Sequence, residues 1–188
     1  MDKLILASGS PRRKQLLGQA HIDFDFVSPD VDETNPPGMN VRLVPEFLAK
    51  KKAAAVAQFY PDRCILAADT VVILDDEILG KAKDLDDAKC MLTRLSGRGH
   101  QVITGVCLRK GGQEFCFSET TEVVFRKLTQ AQIDEYVEKY KPLDKAGSYA
   151  IQEYIGIVGI ESIHGDYYNV MGLPVGKISL LLHNECLG

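Results

Sequence analysis

A chain of 188 residues, 45% hydrophobic and 26% charged, can bury a core of its own and has neither the composition nor the charge excess of a disordered protein. Its net charge of -4 excludes a general nucleic-acid coat, which needs a basic surface, but leaves room for a local basic pocket and a small charged substrate. No apolar run has the length of a membrane span and no secretory pattern opens the chain, so a cytoplasmic protein without a membrane partner is expected.

Leu4-Ile5-Leu6 reads as a short buried strand, and Ser10-Pro11 as an N-cap followed by proline at the first helical position. Arg12 and Arg13 then fall in the first turn, where the helix dipole is positive and backbone N–H groups lack partners. Two cations there break a local rule. An anion bound at the helix start would resolve the conflict, and a phosphate is the leading candidate. Arginines that simply point into solvent are the alternative.

Ile22 to Phe26 alternates apolar and polar residues as a half-buried strand does. Ser28 to Asn40 gathers Pro29, Pro36, Pro37 and Gly38 with three acids, and reads as a loop. A helix is expected from about Arg42 to Tyr60, then a strand from Cys64 to Leu74 that is interrupted by Asp69-Thr70. Asp84 to Gly97 carries a cleaner helix, with Asp84 as N-cap and Leu85, Ala88, Leu92 and Leu95 on its core face. Val102 to Leu108 alternates into a Gly111-Gly112 turn, and Phe115 to Phe125 returns. Thr129 with Gln132 forms a capping box that opens another helix. Asp144 to Met171 reads as strand, His164 to Asn169 within it as a hairpin turn, and Pro174 to His183 as a last helix. Strands and helices that alternate, with hairpins and crossovers both present, indicate an α/β protein with a mixed sheet.

Cys64, Cys90, Cys107, Cys116 and Cys186 show no metal spacing. Counting outward from Gly111-Gly112 places Cys107 opposite Cys116, close enough for a disulfide, and Arg109 opposite Glu114, on a face read as solvent-exposed; in a reducing cytosol two free thiols are expected.

Several residues could carry chemistry. Asp69 lies in a run of alanines and valines that suggests a strand buried on both faces, so its carboxylate needs a partner, either as a structural acceptor or at a catalytic strand end. Asp30, Asp32 and Glu33 could be a solvated loop, or one could join Asp69 as an oxygen ligand for magnesium or manganese. Of Lys50, Lys51 and Lys52, at least two are expected on the surface. A triphosphate would nonetheless use such a lysine, or Lys81. Gln152, in D144-K145-A146-G147-S148-Y149-A150-I151-Q152, has the donors and acceptors to match a pyrimidine edge. His164 is read as a turn residue. There is no P-loop, no dinucleotide fingerprint and no histidine beside a nucleophile.

Taken in order, LASGSPRRKQLL, LAKKKA, AADTVV, LSGRGHQVITGV, DKAGSYAIQ and GDYYNVMGLPV resemble the Maf-like nucleotide pyrophosphatases across nearly the whole chain. The resemblance implies a single domain over residues 1–188, an α/β fold like that of inosine triphosphatase, and a mixed sheet with flanking helices and two lobes around a deep cleft. It implies hydrolysis of nucleoside triphosphates between the α and β phosphates, dTTP and UTP favoured, with a divalent cation (Mg2+ or Mn2+). Ser8, Arg12, Arg13, Lys52 and Lys81 would hold phosphates, and Glu33 and Asp69 would serve metal and water. Arg12, Thr70 and Gln152 would govern substrate choice. Many members of the family continue with glycine where this chain has Glu153, an acid beside the implied base pocket. A homodimer would fit the family. The rivals are a 7-methyl-GTP or other modified-nucleotide pyrophosphatase, and a nucleotide-binding regulator of septum formation without turnover.

Overall fold

The computed structural model describes residues 3–183; Cys186 lies outside them. Its seven strands are β1 (Leu4–Ala7), β2 (Phe24–Val27), β3 (Ile65–Leu74), β4 (Glu77–Leu79), β5 (Gly99–Lys110), β6 (Gln113–Phe125) and β7 (Ile160–His164). They form one sheet in the order β2-β1-β3-β5-β6-β7, with β4 on β3. Parallel pairing of β1 with β2 and β3, and antiparallel pairing of β3 with β4 and β6 with β7, make the sheet mixed, as expected. The helices are α1 (Pro11–Gln19), α2 (Val44–Ala57), α3 (Leu85–Leu95), α4 (Gln130–Tyr140), α5 (Tyr154–Gly159), α6 (Tyr167–Met171) and α7 (Val175–Leu181). Among the described residues no helix is long and apolar enough to cross a membrane.

The chain divides into two compact units. The first comprises residues up to Thr70, Thr104–Glu119 and the stretch from Gly172. Its core sets Ile5, Ala7, Ile65 and Ala67 of β1 and β3 against Ala49, Ala53 and Val56 of α2, with Cys107 beneath. Strand residues of one parity share a face, so position 69 continues the row of 65 and 67 toward α2. The alanines of α2 let the helix lie close to the strands. Gly105 fixes its start, since a Cβ there would stand 2.2 Å from the backbone of Pro45 and Glu46. The second unit comprises Val71–Ile103 and Thr120–Met171. In it Val72, Leu74 and Leu79 pack with Ala88, Leu92 and Leu95 of α3 and with Ile133, Tyr136 and Val137 of α4. Asp84 accepts from Asp87 N–H, and Thr129 and Gln132 form the expected box.

Five expectations need correction. α2 ends at Ala57, and β2 does not alternate in burial: Phe26 is 56% exposed, with the Lys14 ammonium 3.1 Å from its ring centroid. Residues 144–171 hold one strand and two short helices instead of continuous strand. Within them Asp166 caps α6 by accepting from the N–H groups of Tyr168 and Asn169, where a hairpin turn was expected. Cys107 and Cys116 are joined by a disulfide, and Cys107 is fully buried, where free thiols on a solvent face were expected. Arg109 does pair with Glu114, at 3.3 Å.

Candidate active site

The strand-to-helix turn after β1 builds one half of a polar cluster in the first unit. Ser10 starts α1 without a side-chain cap and with no acid in the first turn. Its N–H donates instead to Ser8 Oγ at 3.2 Å. Arg13, one turn on, is buried. Its Nε donates to the Gly172 carbonyl at 2.8 Å, and its two terminal nitrogens to Ser8 Oγ at 3.1 Å and Thr70 Oγ1 at 3.0 Å. These three partners are neutral oxygens. Burial lowers the Arg13 pKa, Asp69 and Glu33 oppose that from a distance, and Arg12 is near enough to add to it. A buried cation steadied by neutral dipoles retains its demand for an anion.

The other half stands on the opposite face of β3. Asp69, 13% exposed by its side chain, accepts from Lys52 Nζ at 2.7 Å, and Glu33 Oε1 lies 2.9 Å from the same nitrogen. The partner that a partly buried Asp69 requires is therefore a lysine of α2. Of the three lysines, Lys52 is buried, whereas Lys50 reaches Glu114 at 2.6 Å and Lys51 lies 3.6 Å from Asp32. Asp32 is otherwise engaged by Thr34, whose N–H and hydroxyl both donate to it. Two carboxylate oxygens that converge on one ammonium are also a pair of hard donors aimed at a single cation.

Lys81 and Gln152 belong to the second unit. Lys81 is exposed, and its backbone bridges Ala146 of the 144–152 loop. That loop is tied down by Gly147 N–H, which donates to the carbonyls of Leu79 and Gly80, and by Tyr149, whose hydroxyl lies 2.7 Å from His100 Nε2. His100 stacks on Phe125, and burial pulls its pKa from 6.5 to about 4, so the ring is neutral near pH 7. Gln152 Oε1 is buried and has no hydrogen-bond partner among the described residues. An orphaned buried acceptor is uncommon and points to a missing donor. Glu153 turns away to accept from the Tyr136 hydroxyl at 2.5 Å and approach Lys145 Nζ at 3.5 Å, while Lys145 also holds Asp144 at 2.8 Å. Burial, then this carboxylate, raises the Tyr136 pKa.

Two members of the cluster were not singled out from the sequence. Thr104 Oγ1 lies 2.9 Å from Thr70 Oγ1, and the Gly172 carbonyl serves Arg13 from a backbone at φ +117°. The available signals were a threonine among valines just before a glycine, and the glycine that precedes Leu173-Pro174.

A model of the family described as "Maf-like protein" matches residues 3–185. A "dTTP/UTP pyrophosphatase" of Phocaeicola vulgatus is 49% identical over 178 residues, 94% of this chain and 92% of that protein. One of the same description from Cytophaga hutchinsonii is 48% identical over 175 residues, 93% of this chain and 80% of that protein. Among solved structures, the Ham1 protein of Staphylococcus aureus matches 66% of this chain and 72% of its own at 15% identity, with a TM-score of 0.47.

Proposed function

Because this chain belongs to the Maf-like protein family, we propose that it hydrolyses nucleoside triphosphates, dTTP and UTP foremost, to the monophosphate and pyrophosphate. The observation that carries the reading is the buried Arg13 guanidinium, held by neutral oxygens at the start of α1. An anionic polyphosphate is what such a group lacks. Ser8, Arg12 and Lys52 complete the phosphate contacts in this reading, and Lys81 adds a further cation. The chain is read as one functional domain, as its sequence suggests.

Glu33 and Asp69 suit magnesium or manganese, which bind through one or two carboxylates together with substrate phosphates. Such an ion, when bound, neutralises phosphate charge and makes water a better nucleophile. Lys52 is held by the same two oxygens, and released from them its ammonium is free to contact a phosphate. Asp69 orients the attacking water toward the α phosphorus or accepts its proton. Gln152 sets base choice, and Thr70 acts on the substrate through its bond to Arg13. The unpartnered Oε1 of Gln152 accepts from the imide N–H of uracil or thymine, a donor that the same ring position of cytosine lacks.

The test is a nucleotide panel (UTP, dTTP, CTP, 7-methyl-GTP and ITP) with magnesium or manganese, resolving pyrophosphate from phosphate. Pyrophosphate released chiefly from UTP and dTTP is the expected result. Nucleotide binding without turnover would overturn it.

A further inference from the structure

Thr70 lies in the cluster in a way that restricts what its hydroxyl can do. A hydroxyl has one proton to give and two lone pairs to receive with. One lone pair of Thr70 is taken by Arg13, at 3.0 Å. The other close neighbours of Thr70 Oγ1 are Thr104 Oγ1 at 2.9 Å and the Gly172 carbonyl at 3.4 Å. If Thr104 donates, the Thr70 proton goes to Gly172; if Thr70 donates, it goes to Thr104. In both arrangements the Thr70 proton has an acceptor inside the cluster, and the Arg13 side keeps an acceptor.

We propose that Thr104 is a positioning residue, acting through Thr70 to aim the Arg13 guanidinium at the polyphosphate. Thr70 then affects substrate through that guanidinium and not by touching the base. The proposal deepens the reading above and rests on Arg13 meeting phosphate. Thr104 is fully buried and stands on β5, immediately before the glycine that seats α2, so its hydroxyl is fixed relative to the strand. Gly172 contributes a carbonyl fixed to the same guanidinium through Nε. Ser8 supplies the third restraint. A planar guanidinium held at three nitrogens is fixed in orientation as well as in place, which is what bidentate contact with phosphate oxygens needs.

The experiment uses the full chain and inorganic tripolyphosphate, which has no base, alongside UTP, dTTP and CTP. Thr104→Val keeps the shape and removes the hydroxyl. Losing one hydrogen bond in a buried network of this kind is expected to weaken tripolyphosphate binding roughly tenfold, and to raise KM similarly for every nucleotide while kcat changes little. Thr104→Ser should restore both. Thr70→Val makes the same test from the other side of the bond, and combined with Thr104→Val should add little to either alone. The phosphate reading itself falls if the unmodified protein does not bind tripolyphosphate. With that binding present, unchanged affinity in both Thr104→Val and Thr70→Val overturns the proposal, as does a change in the ratio of UTP to CTP turnover.

Discussion

Asp69→Asn and Lys52→Met remove opposite ends of one partly buried ion pair, and the surroundings predict different outcomes. Stranding one member of a fully buried pair costs about 3–5 kcal/mol. Asp69→Asn does not strand Lys52, because Glu33 stays 2.9 Å from the ammonium and an amide oxygen still occupies the Asp69 position. The expected loss is therefore about 1–2 kcal/mol, near the net value of a hydrogen bond to a charged group. Lys52→Met takes away the cation on which Asp69 Oδ1 rests, and Asp69 is only 13% exposed. Its loss should be the larger of the two, with that range as a ceiling because the pair is only partly buried. Activity should follow the chemistry of each group and not stability: Asp69→Asn should lower turnover by about 10²–10⁴-fold, as expected for a group that positions water or takes its proton. Urea unfolding followed by circular dichroism gives the stabilities, and pyrophosphate release from UTP and dTTP gives the rates. Asp69→Asn less stable than Lys52→Met, or retaining most of its turnover, would refute the reasoning.

Gly105→Ala should destabilise by about 1–3 kcal/mol or more, since its Cβ meets backbone that cannot step aside, and an unchanged Tm would contradict the close approach. His100 should make stability fall as pH drops. The unfolded chain takes up its proton near 6.5 and the folded chain only at about 4, so the contribution is whole above the first value and lost toward the second, by about 3 kcal/mol at most. The urea midpoints measured on either side of that window should lie closer together in His100→Asn, and an unchanged gap would count against it. Gln152→Ala should relax base preference more than it slows the best substrate, judged by kcat/KM for UTP, dTTP and CTP; equal loss on all three would remove Gln152 from base reading.

The parts of the site that could be read from the sequence are those where a residue violates its surroundings. Arg13 in a positive helix turn and Asp69 among alanines each demand a partner, and the structure supplies one or leaves the demand visible. The expectation that most of the three lysines lie outside followed from helix geometry, and Lys52 alone turns inward. Residues 144–171 were misread because glycine and β-branched composition does not decide a six-residue helix. α5 exists where Gly156 meets the Ile151 backbone and Gly159 meets Leu128 and Phe125, contacts made by tertiary packing. The exposure of Cys107 failed for a related reason. Residues 102–108 of β5 are all buried, so a period of two counted from the turn pairs residues correctly but cannot say which face is wet.

Strand β3 spends adjacent residues on opposite tasks. Asp69 looks toward α2, Thr70 toward the guanidinium of α1, and the pairing of Ile65, Leu66 and Ala67 with Ile5, Leu6 and Ala7 holds that order. An insertion or deletion of one residue before Asp69 would exchange the acid and the hydroxyl between faces. The strand can thus be altered letter by letter but not in length, and the two halves of the cluster can be inherited only together.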